Sequence, residues 1–182
     1  PVDLHRQLYK LSCSGFTNVT LEASSHGLDQ FRLDGVPIRA AAFTNLTRDH
    51  LDYHGSMKEY RRAKMRLFRE LLVPGGAMVV NAETPEYPAL IELARERGFE
   101  FFAYGLSKGD IRCRSMKPTE DGWNLVLEVL GTEHSIVFPL IGSFQVENAL
   151  AALGLVIAGG MEYGYAAAAL EALEGVPGRM EM

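Results

Sequence analysis

Between Arg48 and Phe68 the chain reads RDHLDYHGSMKEYRRAKMRLF, with Asp49, His50, Asp52 and His54 inside seven residues. His50 and His54 are four apart, the spacing of zinc ligands on a helix. Gly55 and Ser56 read instead as a loop that ends at a helix start. Ser56 and Glu59 form an S-x-x-E capping box, which predicts a helix from Met57. On that helix Tyr60, Lys64, Phe68 and Leu71 share one face. Arg61, Arg62, Arg66 and Arg69 fall on other faces and are expected in water. Lys64 is the one cation aligned with the aromatic stripe. In apolar surroundings a lysine loses hydration, its pKa falls, and the neutral amine becomes a nucleophile, towards carbon dioxide among others. The plainer reading runs the stem along the stripe and delivers the ammonium to water.

A second polar run, EASSHGLDQFR, spans Glu22 to Arg32. Residues Asn18 to Ser24 read as a strand, with Thr20, Glu22 and Ser24 on one side and Val19 and Leu21 on the other. Glu22 then lies near the strand's C-terminal end, where open α/β sheets gather ligands. A carboxylate there suits Mg²⁺, a hard cation. Ser24, Ser25, His26, Gln30 and Arg32 make a loop able to hold an anionic or sugar ligand; alternatively it is surface, with Glu22 in a salt bridge. No G-x-x-x-x-G-K-[ST] phosphate loop occurs among the 182 residues. Asn148 and Arg179 are spare polar groups that could meet a nucleotide, or be a helix-surface amide and a linker cation.

The elements that must position these groups follow from periodicity. Leu4, Leu8 and Leu11 are helically spaced, and Gly15 suits the helix end. SSHGLDQFRLDGV reads as a loop or short helical turn. Ala40 to Leu46 reads as a strand buried on both faces. Pro74-Gly75-Gly76 breaks the lysine helix. A strand (Ala77 to Asn81), a helix (Glu86 to Arg97) and a strand (Phe99 to Ala103) follow, so a parallel sheet covered by helices is expected. After Gly105 three strand-like runs, Asp110 to Lys117, Trp123 to Leu130 and His134 to Phe138, are joined by short polar turns. They predict an antiparallel meander attached to that sheet. Ser143 is expected to cap a long helix ended by Gly159-Gly160, with an alanine-rich helix from Tyr163 to Leu173. The closing GVPGRMEM reads as a domain junction.

Composition bounds the class. The chain is 47% apolar and 23% charged, ordinary for a globular domain with a sizeable core. Its net charge of −5 argues against a nucleic-acid or anionic-membrane surface as main partner. No run reaches the ~18 apolar residues of a membrane helix. Two cysteines, Cys13 and Cys113, with no C-x-x-C, fit a reducing compartment and give no thiolate zinc site. A monomeric cytoplasmic protein is expected.

The stretches TLEASSHGLDQFRLDGV, FTNLTRDHLDYHGSMKEYRRAKMRLF, IGSFQVENALAAL and VPGRME together resemble the central domain of the Mur ligases, ATP-dependent amide-forming enzymes of peptidoglycan (cell-wall) synthesis. The resemblance covers essentially the whole chain, residues 1–182, and is nearest the UDP-N-acetylmuramoyl-tripeptide synthetase branch, to which E-x-SSHGL-x-Q-x-R is specific. It implies an α/β domain of the P-loop type without its phosphate loop. The N-terminal UDP-binding and C-terminal amino-acid-binding domains are absent from these residues.

By position, the resemblance gives Glu22 and His50 as ligands of two Mg²⁺ ions and Lys64 as a lysine carried as its carbamate. It gives Ser24, Gln30 and Arg32 as contacts to UDP-MurNAc-dipeptide, and Asn148 and Arg179 as ATP contacts. The implied reaction converts the D-Glu side-chain carboxylate and ATP into an acyl phosphate and ADP; the amine of a third amino acid, meso-diaminopimelate or L-lysine, then displaces phosphate and forms the amide. One departure stands out: the family's N-V-x-N is QVEN here, with Gln145 in the first amide position. The rival readings are a metal-dependent hydrolase using Glu22, His26, His50, Asp52 and His54, a non-catalytic nucleotide-binding module, another Mur ligase, or the related folylpolyglutamate synthetase.

Overall fold

The computed structural model describes residues 2–174, so Arg179 and the expected junction at the chain's end lie outside the described residues. The chain forms two compact units, Pro1–Arg39 with Leu46–Val73, and Ala40–Asn45 with Pro74–Met182.

The first unit is helical. Helix α1 (Val2–Cys13) half-buries the leucine stripe Leu4, Leu8 and Leu11, and Gly15 takes φ 85° just past its end. The expected strand over Asn18 to Ser24 does not form. Its alternating side chains stay exposed or half-exposed, no described strand pairs with it, and an unpaired strand leaves its backbone groups to water. Its last residue, Ser24, is extended and caps α2 (Ser25–Asp29) by accepting the Gly27 N–H at 3.1 Å. The segment expected to be a loop around His50 closes into a single turn, α3 (Leu51–His54). Helix α4 (Met57–Arg66) starts where the capping box predicts, with Ser56 accepting from the Glu59 N–H. A π-helical turn, Leu67–Leu71, then ends it.

The second unit holds a six-stranded mixed sheet, with strands β1 (Ile38–Phe43), β2 (Leu72–Asn81), β3 (Glu100–Gly105), β4 (Ile111–Pro118), β5 (Trp123–Val129) and β6 (Thr132–Phe138) side by side in that order. Strand β2 is longer than expected, because the Pro-Gly-Gly stretch is extended and belongs to it. β1 begins and ends earlier than the apolar run implies, with Ala41 and Phe43 buried and Ala40 and Ala42 half-buried. Strands β2, β3 and β4 are parallel, and β4, β5 and β6 form the antiparallel meander. Helix α5 (Tyr87–Arg97) makes the β2–β3 crossover and ends on Gly98 at φ 65°. The β3–β4 step has no helix, although parallel neighbours usually need a long crossover. Here only the last residues of β3 pair with the first of β4, Tyr104 with Ile111 and Gly105 with Arg112. Asp110 makes the short step possible. Its carboxylate accepts the Ala103 N–H at 2.8 Å and its own N–H donates to the Ala103 carbonyl at 2.8 Å.

Helix α6 (Ser143–Ala158) is apolar on nearly every side and packs Val146, Leu150 and Leu153 against Ala77, Val79 and Tyr104. Gly142, not Ser143, occupies its cap position. The alanine-rich stretch divides into α7 (Tyr163–Ala168) and a 3₁₀ turn, Ala169–Ala172.

Candidate functional site

Most of the residues singled out above fall in the helical unit, where two local constructions bring polar and aromatic side chains together. The first is the loop around α2. Ser24 uses its hydroxyl oxygen as the cap acceptor, which leaves the hydroxyl hydrogen to donate elsewhere. Ser25 is buried and meets the Nε2 of His54 at 3.0 Å. Gln30 and Arg32 are exposed and joined, the Arg32 guanidinium donating to the Gln30 amide oxygen. The Gln30 amide nitrogen donates to the Tyr53 hydroxyl at 3.1 Å, and that hydroxyl donates to Asp29 at 3.3 Å. Arg62 reaches the other Asp29 oxygen at 3.2 Å. The amide and the guanidinium are therefore held by hydrogen bonds within the fold.

The second construction is a cluster of five rings. His26 lies 4.1 Å from Tyr53, 5.1 Å from His50 and 5.4 Å from His54, centroid to centroid. Tyr60, only 4% exposed, stacks on His54 at 5.1 Å and takes the edge of His50 at 6.0 Å. The Nζ of Lys64 sits over the same tyrosine, 5.4 Å from its centroid. Lys64 and His50 therefore approach one ring, no farther apart than those two distances together. Lys64 is half-buried beside an aromatic face that attracts a cation, rather than enclosed in the stripe.

Burial pushes the His54 pKa down, with the neighbouring His26 adding to it and Asp29 opposing it. Burial raises that of Tyr60, and Asp49 adds to it. His50 heads α3 in the left-handed region at φ 54°, its N–H donating to the Asp49 carboxylate at 2.7 Å. That conformation is uncommon for a residue with a side chain and recurs where a site dictates the backbone.

Glu22 is exposed in the unpaired segment before α2, not at the end of a sheet strand. Asn148 is exposed on α6, in the other unit. Among the described residues no three of His, Cys, Asp and Glu converge as a metal site. The Glu22, His26, His50, Asp52 and His54 set of the hydrolase reading is therefore not assembled. The Asp49 carboxylate already sets an oxygen donor 3.6 Å from His50 Nε2, and a carbamate on Lys64, whose Nζ lies over the Tyr60 ring that His50 also meets, would add further oxygen donors.

The largest departure from the sequence reading is Arg66. It is not in water but 7% exposed, paired with Asp34 at 2.7 Å. Helical periodicity shows which way a residue faces but not what an opposing loop brings to it, and Asp34 lies thirty-two residues away. Tyr53 and Tyr60 were equally silent as site residues, since aromatic residues near a helix start read as packing.

The family model for the Mur ligase middle domain matches residues 1–156. The chain belongs to the Mur ligase middle domain family. Among curated Mur ligases it is 46% identical over 186 residues to the UDP-N-acetylmuramoyl-L-alanyl-D-glutamate–2,6-diaminopimelate ligase of Bradyrhizobium diazoefficiens, covering 100% of this chain and 38% of the relative. The ligase of the same name from Caulobacter vibrioides is 46% identical over 180 residues, covering 98% and 37%. A solved structure of a diaminopimelate ligase superposes with TM-score 0.89 at 33% identity, over 98% of this chain and 37% of that one. MurF from Acinetobacter baumannii shares the fold at TM-score 0.70 and 23% identity, over 79% of this chain and 31% of its own. This Mur ligase middle domain thus spans under two-fifths of the length of its relatives.

Proposed function

We propose that the segment is the middle domain of an ATP-dependent ligase that adds diaminopimelate to UDP-MurNAc-L-Ala-D-Glu in the cytoplasm. The observation that carries this reading is the loop of Ser24, Gln30 and Arg32, already ordered on Tyr53 and adjoining the ring cluster that Lys64 and His50 share. The two diaminopimelate ligases named above match the chain over nearly its full length, which favours diaminopimelate over lysine as the third residue.

Arg32 and Gln30 offer a guanidinium and an amide side by side, suited to an anionic, amide-rich ligand such as a nucleotide-linked dipeptide. The Ser24 hydroxyl adds a donor at the N-terminus of α2. His50 and a carbamate on Lys64 would hold one Mg²⁺, and Glu22 the second. Bound there, the ions offset the repulsion between ATP phosphates and an attacking carboxylate. Tyr60 presents one ring to both the lysine and the histidine. Asn148 and Arg179 are proposed ATP contacts, and the protein is proposed to act as a monomer.

The test is made in the full-length ligase. Lys64→Ala should lower amide formation by about a hundredfold or more, the scale of losing a fixed charge-stabilising group. Lys64→Arg should not restore it, because a guanidinium forms no carbamate. Added acetate should restore part of the Lys64→Ala activity by supplying an oxygen donor. Wild-type turnover in Lys64→Ala refutes the assignment.

A further inference from the structure

Arg66 is a buried cation with no part in the chemistry described above. Its guanidinium faces the loop that carries Gln30 and Arg32. Nη1 donates to the Leu28 carbonyl at 2.9 Å, and Nη2 donates to the Asp34 carboxylate at 2.7 Å. The guanidinium carbon lies 4.2 Å from the centroid of the Phe31 ring. Nε lies 2.7 Å from Glu70, near enough for an ion pair but misaligned for a hydrogen bond. One side chain therefore touches the loop at residues 28, 31 and 34, and Gln30 and Arg32 lie between those points.

The loop's backbone needs such support. Phe31 adopts φ 58°, in the left-handed region, and the residue is 59% exposed. A left-handed phenylalanine is strained, and an exposed ring gains little from burial to offset that. The guanidinium over its face is a compensating contact. Stability alone is a poor explanation for Arg66. A buried guanidinium carries a large desolvation cost, and an apolar residue of similar volume usually serves a core as well or better. What a guanidinium does that methionine cannot is fix a backbone carbonyl, a carboxylate and a ring at defined angles at once.

We propose that Arg66 is a positioning residue for nucleotide-dipeptide binding. By clamping residues 28 to 34 onto α4, it sets the aim of Gln30 and Arg32, and it ties that aim to the helix that carries Lys64. This inference rests on the reading that the loop binds UDP-MurNAc-dipeptide.

The experiment uses the full-length ligase and measures the dissociation constant for UDP-MurNAc-dipeptide by calorimetry without ATP, together with kcat, the KM for ATP and Tm. Arg66→Met should weaken dipeptide binding about tenfold while the KM for ATP moves by less than about twofold, since only the loop's contacts are disturbed. Arg66→Lys should not restore binding, because an ammonium lacks the planar fork. Asp34→Ala, at a position half in solvent, should give a smaller loss of binding, with Tm lowered because the buried guanidinium loses one carboxylate partner but keeps Glu70. Arg32→Ala is the control for the loop itself. If Arg32→Ala weakens binding but Arg66→Met and Asp34→Ala bind as wild type, the positioning role is wrong and the substrate loop stands. Should Arg32→Ala have no effect, the substrate loop and the positioning role fall together. If Arg66→Met unfolds, Asp34→Ala decides alone: wild-type binding there overturns the proposal, and selective weakening supports it.

Discussion

Tyr53 puts one hydroxyl between the Gln30 amide and the Asp29 carboxylate, and it is more than a third exposed. Tyr53→Phe should therefore change stability by less than about 0.5 kcal/mol, as surface substitutions do. In the full-length ligase it should raise the KM for UDP-MurNAc-dipeptide several-fold with the KM for ATP unchanged. Steady-state kinetics with each substrate varied would check it, and an equal rise in both constants would contradict it. His54 makes a prediction in pH. Its folded pKa lies below the ordinary value, so between about 6.5 and that lower value the unfolded chain binds more protons than the folded one. Its contribution is fully present above about 6.5 and is lost as pH falls through that window to the folded pKa. Urea midpoints at neutral and mildly acid pH should fall with acidification in the wild type, and less steeply in His54→Gln. The Ser56 cap, the odd placement of Lys64 and the polar loop at Ser24 were legible from residue type and spacing. Arg66 was not, because its reason for burial is Asp34 and the Leu28 carbonyl, which no local pattern announces.

At the level of elements, the alternation of strands and helices after Pro74 was legible because each run carries its own period and its own turn residues. The failures share a cause. The Asn18 to Ser24 segment has a strand's alternation but no partner, and a strand exists only by pairing. The π-helical turn at Leu67–Leu71 leaves no mark in composition. Gly154 shows packing overriding propensity. It sits inside α6, where alanine would be favoured by about 1 kcal/mol. A Cβ there would come within 2.6 Å of Val79 Cγ1 and 3.4 Å of Ile111 Cδ1. Val79 and Ile111 are fully buried, and a β-branched side chain on a strand has few rotamers to retreat to. Gly154→Ala should therefore destabilise the sheet unit by about 1–3 kcal/mol, the usual range for overpacking. Combining it with Val79→Ala should recover about 1 kcal/mol relative to additivity. Urea denaturation of the four chains of that cycle gives the answer, and a stabilising Gly154→Ala would show that α6 stands farther off the sheet.

Across the whole molecule, the net charge of −5 hides a division. The helical unit carries eleven Lys and Arg against eight Asp and Glu; the sheet unit carries seven against fifteen. The unit with the proposed substrate loop is thus net positive in an acidic chain. That suits capture of a polyanion, since local potential rather than total charge steers an approaching ligand. The overall figure argues against nucleic acid as a main partner but could not reveal this, because composition averages over a division that only the folded contacts define. The same scale sets what the segment can do by itself. Joining a carboxylate to an amine at the expense of ATP brings several phosphate charges against an attacking anion. Backbone N–H groups of a phosphate loop ordinarily cradle them. These 182 residues contain no such loop, and the relatives that turn over diaminopimelate are more than twice as long. The isolated segment, supplied with ATP, Mg²⁺, UDP-MurNAc-dipeptide and diaminopimelate, should release no ADP and form no amide above background. Coupled ADP release and mass spectrometry of the product, at enzyme levels where the full-length ligase is saturating, would settle the point. Measurable tripeptide product would mean that residues within this segment replace the phosphate loop.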